Sequence, residues 1–197
     1  MTGTTVEAQN QIPEKLREMI LYIAEQSEGD EKFGVTKLNK LLFFADFLAY
    51  QWYGSSISGA NYEVMPEGPM LKDFYHIQDE LILSKDLVIK RNEYIGYLQK
   101  KPLALRSANI SIFKPEEIDV IVHIINDFRD MNASEISAKS HEFLGWQVVN
   151  MREEIPYSTA LVSTRDLTIE EWELPSKVKI DERILSDLVP NIAPITA

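Results

Sequence analysis

The chain has 197 residues, 45% hydrophobic and 26% charged, with no cysteine and a net charge of −11. That length suits one domain with a sizeable core, and the lack of cysteine excludes a disulfide framework and thiolate metal sites while fitting a reducing cytosol. The acid excess opposes the basic stripe a duplex-coating protein carries; it suits a basic partner, and it also serves plain solubility.

Residues 1–11 are polar and expected to fray. They lack a basic region followed by an apolar run, and no apolar stretch approaches the ~20 residues of a membrane span, so a cytoplasmic location is expected. Pro13 suits a first helical turn, and Leu16, Met19, Ile20 and Ile23 follow with helical spacing. Glu28-Gly29-Asp30-Glu31 breaks that pattern. Thr36 is placed to cap a second helix, whose Leu38, Leu41, Leu42, Ala45 and Leu48 form one stripe while Phe43, Phe44 and Phe47 fill most of the rest. A helix apolar nearly all round belongs at the centre of a core. Gly54-Ser55-Ser56 ends it.

Tyr62 to Met65 reads as a short extended piece, and Pro66-Glu67-Gly68-Pro69 as a forced bend. Met70 to Leu83 reads as a third helix. Residues 85–113 favour two or three short strands in an antiparallel ribbon. Residues 85–106 are also the one basic stretch: Lys85, Lys90, Arg91, Lys100, Lys101 and Arg106 against Asp86 and Glu93. Pro115-Glu116-Glu117 opens a helix with a core face of Ile118, Ile121, Val122, Ile125 and Phe128. Asn132 to Glu135 reads as a capping box for a short helix. His141 to Trp146 continues or ends that helix, and Ile155-Pro156-Tyr157 is an extended turn leading to Ala160-Leu161. Thr168 to Glu171 suits one more capped turn, and residues 176–197 a weakly packed tail. The fold class expected is α+β: a mainly helical domain of about five to six helices with a small antiparallel β-ribbon.

Signals for catalysis are sparse. His141-Glu142 begins like a zinc-binding HExxH helix, but position 145 is glycine. There is no GxSxG elbow and no phosphate-cradling glycine loop. Glu116-Glu117, Glu153-Glu154 and Glu170-Glu171 read as helix-dipole partners or solvated charge. The basic ribbon admits two readings, stacking on single-stranded nucleic acid through Tyr94 and Tyr97, or lysines guarding a strand edge; the second is the commoner use. No catalytic residue, metal site or cofactor is expected.

One ordered set of landmarks remains. It comprises Lys37-Leu38, Lys40-Leu41-Leu42 and Ala45-Asp46, then Tyr53-Gly54, then Pro66-Glu67-Gly68-Pro69 with Phe74-Tyr75. After these stand Ser134-Glu135-Ile136-Ser137 with His141 and Trp146, then Ile155-Pro156-Tyr157 with Ala160-Leu161. This order resembles the Panacea, or SocA-like antitoxin, domain over residues 12–162, leaving 163–197 as a C-terminal extension. Met70-Leu71 departs mildly from the Val or Ile the family carries after Gly-Pro.

The resemblance implies a non-enzymatic antitoxin of a bacterial or prophage toxin–antitoxin system, which binds and blocks a toxin encoded beside it. An alternative is a proteolytic adaptor, or a phage-encoded interaction protein acting on a host factor. One relative delivers its toxin to a bacterial ATP-dependent protease. No membrane partner is expected, and nucleic acid is disfavoured. The candidate binding residues are Lys37, Asn39, Lys40, Asp46, Tyr75, His141 and Trp146. Against direct contact, Asn39 or Asp46 would satisfy buried backbone near the Pro66–Pro69 turn, and Trp146 would belong to the core.

Overall fold

The computed structural model describes residues 12–94 and 96–162. The elements run α1 (Glu14–Gln26), α2 (Val35–Tyr53), β1 (Tyr62–Glu63), β2 (Met70–Leu71), α3 (Phe74–Leu83), β3 (Leu87–Tyr94) and β4 (Tyr97–Ala104). Then follow α4 (Pro115–Asp127), α5 (Ala133–His141) and α6 (Leu144–Val148), with 3-10 turns at Ile110–Ile112 and Tyr157–Leu161. Among the described residues, six helices and two small antiparallel sheets make this an α+β fold, mainly helical.

Helix α2 is the axis of the core. Eleven of its side chains are buried, from Lys37 to Ala49. It packs against α1, α4, α5, β2 and the Tyr157–Leu161 turn. Phe43 and Phe47 meet Tyr62, Phe143 and Tyr157 in one aromatic cluster, with centroids 4.4–5.8 Å apart for those pairs that touch. Phe44, on another side of α2, stacks on Phe128 at 4.6 Å. Each buried ring contributes about 1.5–3 kcal/mol. The helix stops where Gly54 turns left-handed at φ 73°, its N–H bonding back to Tyr50 O.

The start of α2 corrects the sequence reading: its N-cap is Gly34, and Thr36 lies already inside the helix. Glycine keeps this approach to β4 close, since a side chain there would crowd its backbone, Lys100 O lying 3.3 Å from an ideal Cβ. The third helix is also shorter than expected. It begins at Phe74, because Met70 and Leu71 pair with Glu63 and Tyr62. A distant segment completes this small sheet along the other edge of β1. Ile155 N–H donates to Tyr62 O, Val64 N–H to Glu153 O, and Arg152 N–H to Val64 O, at 2.7, 3.0 and 2.8 Å.

The ribbon is one hairpin, with Leu87 opposite Ala104 and Tyr94 opposite Tyr97. Gly96 takes the turn at φ 77°. Ile110–Ile112 is a 3-10 turn and not a third strand. Helix α4 buries Val120, Ile121, Ile124, Ile125 and Phe128, while Val122 is exposed, so its core face is rotated from the one the sequence suggested. Of the two readings of Glu117, helix-dipole partner holds and solvated charge does not: it lies in the first turn of α4, is buried, accepts from Lys15 Nζ at 2.7 Å, and caps α4 by accepting from Lys114 N–H. The capping box on α5 forms as read, Asn132 Oδ1 accepting from Ser134 and Glu135 N–H and Glu135 accepting from Asn132 N–H.

The fringe of the ribbon is clamped to α1. Arg106 grips Glu18 with two nitrogens, 2.9 and 2.6 Å, and Asp86 with a third at 2.8 Å. Arg17 bridges Asp86 and Glu80. Lys101 Nζ donates to Glu28 O and Asp30 O. Two of the six basic residues of this stretch are therefore committed inside the molecule. The turn expected at Thr168 and the tail at 176–197 lie outside the described residues, as do residues 1–11.

Candidate functional site

The polar residues of the landmark set on α2 bind separate segments of the chain. Lys37 is 1% exposed, and its ammonium donates to Asp30 Oδ2, Arg129 O and Met131 O at 2.7, 2.9 and 2.8 Å. All three protons are satisfied, so this buried cation ties the loop after α1 and the end of α4 to α2.

Asn39 and Lys40 turn toward the segment after the proline turn. Asn39 Oδ1 accepts from Leu71 N–H at 3.2 Å. Lys40 is 3% exposed and donates to Pro69 O at 2.7 Å. Burial pushes its pKa down to about 8, Glu67 opposing. Gly68, at φ 94°, is pressed into this corner: a Cβ would come within 2.2 Å of Ser140 Oγ and 2.8 Å of Lys40 Nζ. Behind the same turn Trp146 Nε1 donates to Met65 O at 3.0 Å, and His141 stacks on Trp146 with centroids 4.0 Å apart. His141 and Trp146 are half-buried. Gly145 lets α6 approach residues 155–159, since a Cβ would meet Thr159 Oγ1 at 2.4 Å and Ile155 Cγ2 at 2.6 Å.

Asp46 sits two turns further along α2, fully buried. Its carboxylate accepts from Ile57 N–H and Ser58 N–H at 2.9 and 2.8 Å, from Tyr62 OH at 2.7 Å, and from Ser58 Oγ. Burial pushes its pKa up, against the lowering effect of these donors. Burial, with Asp46 beside it, also pushes the Tyr62 phenol well above its usual range.

Tyr75 is different. It is 63% exposed on α3 and lines a groove of about 710 Å³. The other lining residues come from the start of α2 (Gly34, Val35, Thr36), from β4 (Leu98, Gln99, Lys100) and from the start of α5 (Asn132, Ala133, Ser134), with Lys32 and Gln78. Leu98 is 65% exposed. Among the described residues that line this groove there are two lysines and no carboxylate.

A family model for the antitoxin SocA-like, Panacea domain matches residues 38–147. The chain belongs to this family. Neither the curated proteins nor the solved structures contain a match. In this Panacea domain the turn cluster brings Asn39, Lys40, His141 and Trp146 around residues 65–71, while Lys37, Asp46 and Tyr75 stand apart from it. The buried members of the set are engaged in intramolecular bonds. Sequence reasoning passed over Leu98, Val35 and Gln78 as site residues and weighed Lys100 only as part of the basic ribbon; all four are companions of Tyr75 in the groove. The signal for Leu98 was present, an apolar residue within the basic ribbon, but the groove is assembled from four separate segments. Among the described residues no group of three His, Asp or Glu side chains is placed to hold a metal, and no helix is long and apolar enough to cross a membrane.

Proposed function

We propose that this protein is the antitoxin of a bacterial or prophage toxin–antitoxin pair, and that it neutralises a toxin encoded beside it by direct binding, without catalysis, in the cytoplasm. Membership of the SocA-like Panacea family carries this reading. The Panacea domain is taken to span residues 12–162. The burial of Lys37, Lys40 and Asp46 supports a division of labour in which the family landmarks hold a rigid scaffold and exposed residues such as Tyr75 meet the partner. A scaffold with its bonds already formed loses little conformational freedom on binding.

Co-expression tests the reading. Each reading frame adjacent to this gene is induced alone and together with the full chain. One neighbour is expected to arrest growth alone and to be harmless with this protein. Arrest that persists in the presence of the protein, for every toxic neighbour, would refute it.

A further inference from the structure

We propose that the groove between Tyr75 and Leu98 seats a segment of the partner protein in which a bulky apolar side chain is flanked by acidic ones. This rests on the reading that the protein works by binding a protein partner, and it specifies the face used and the chemistry that face selects.

The groove is large and rigidly framed. Its floor includes the start of α2, held by Gly34 against the backbone of β4 and by Gln99 Nε2 donating to Glu31 O at 2.8 Å. Its α5 wall is fixed by the Asn132–Glu135 capping box. Onto this frame Tyr75 and Leu98 project more than three-fifths exposed, the two large apolar side chains of the lining that water reaches most. Aromatic and leucine side chains presented together in a concave, pre-formed site are what a partner's apolar anchor would bury.

Charge then selects the neighbours of that anchor. The protein carries a net −11, yet this lining holds Lys32 and Lys100 and no carboxylate. Lys32 Nζ is committed to Asp130 O, but Lys100 is exposed and has no acceptor among the described residues. Helix α2 adds to the same sign. Its N-terminus has no side-chain cap and no acid in its first turn, and Val35 and Thr36 of that turn line the groove. The positive end of a 19-residue helix and an exposed lysine therefore face one cavity on a protein of net acidic charge. A basic segment would be repelled there and would favour the acidic faces elsewhere.

The test uses a random dodecapeptide library displayed on phage and selected on the immobilised full chain. Recovered peptides are synthesised and their affinities measured for the wild type, Lys100→Glu, the double variant Tyr75→Ala/Leu98→Ala, and Leu83→Ala as an exposed apolar control outside the groove. Circular dichroism checks that each variant is folded, and Lys100→Glu alters only an exposed side chain.

Recovered peptides are expected to combine Trp, Phe or Leu with adjacent Asp or Glu. They should bind both groove variants at least tenfold more weakly than the wild type, and Leu83→Ala as well as the wild type. No enrichment, enrichment without acidic residues, or binding that the groove variants leave unchanged would each overturn the proposal. The selection needs no toxin, so the two readings fail separately. Peptide binding without growth rescue refutes the antitoxin reading alone, and rescue without groove-dependent peptide binding refutes the groove alone.

Discussion

At the scale of residues, the fold rests on polar groups buried with their partners. Asp46 answers two backbone N–H groups and the Ser58 hydroxyl in the loop after α2, and the Tyr62 hydroxyl of β1. Asp46→Ala strands both N–H groups in the core and should cost on the order of 3 kcal/mol in urea denaturation. Asp46→Asn keeps one acceptor oxygen for the N–H pair, and its amide can donate to the hydroxyls, so its cost should be clearly smaller. Equal losses for the two variants would mean that the charge, and not the acceptor geometry, is what the site needs.

Lys40 gives a pH signature. Its pKa falls from 10.5 to about 8 on folding, so between those values the unfolded chain binds more protons than the native one. Stability contributed at this site therefore rises with pH across that window. The difference in unfolding free energy between wild type and Lys40→Met should grow by about 2 kcal/mol in favour of the wild type from pH 7.5 to 9.5, at 1.36 kcal/mol per pH unit. Raised tyrosine pKa values, Tyr62 among them, act in the opposite sense only above about pH 10. A flat difference across the window would contradict the assignment.

At the scale of elements, one local device and one long-range clamp hold the fold: the cap of α5 beside the groove, and Arg106 between the hairpin's flank and α1. Asn132→Ala removes the cap of α5 and should cost about 1 kcal/mol. Arg106→Ala releases the hairpin from α1. It should cost about 1–2 kcal/mol, less than a fully buried pair because Arg106 is 38% exposed. Its hydrogen bonds and charge hold Glu18 below the usual carboxylate range. At Asp86 burial works the other way, but the bonds from Arg106, Arg17 and Ser84 outweigh it. Both carboxylates stabilise the fold above their unfolded pKa values and lose that contribution as pH falls through the lowered ones. Arg106→Ala should accordingly flatten the loss of stability between about pH 5 and pH 3. Faster amide exchange along 97–104 in that variant would locate the release in β4.

The same scale explains what the chain revealed before folding. Helices α1 and α2 were legible because their apolar spacing is local, and the α5 cap because its donors and acceptors lie within four residues. Met70-Leu71 resembled the start of a helix because its pairing with Tyr62-Glu63, itself bonded on its other edge to the distant segment 152–155, depends on contacts the local pattern does not carry. Ile110–Ile112 alternates like a strand but meets no strand edge, and settles as a 3-10 turn. On α2, Lys37 and Lys40 were candidates for partner contact and are buried, because each has carbonyls from remote turns to bind; Asp46 does satisfy buried backbone, as the sequence suggested, but that of Ile57 and Ser58 and not of the Pro66–Pro69 turn. The groove was illegible for the same reason: four segments meet there only in the folded chain.

At the scale of the whole molecule, the described residues form a core built around α2 with a groove beside Tyr75 and Leu98. The chain's landmarks identify the SocA-like Panacea family because they build that core. The exposed pair Tyr75 and Leu98 should matter to a partner and little to the fold. Tyr75→Ala/Leu98→Ala should leave the melting temperature within a few degrees of wild type. The central claim is neutralisation by direct binding. It is tested most directly by co-expressing the full chain with the toxic neighbour in a host lacking its cytosolic ATP-dependent proteases, scoring growth and toxin level together. Growth should be restored with the toxin still at its full level and co-purifying with this protein. Loss of rescue in that host, or rescue there without a complex, would contradict neutralisation by binding.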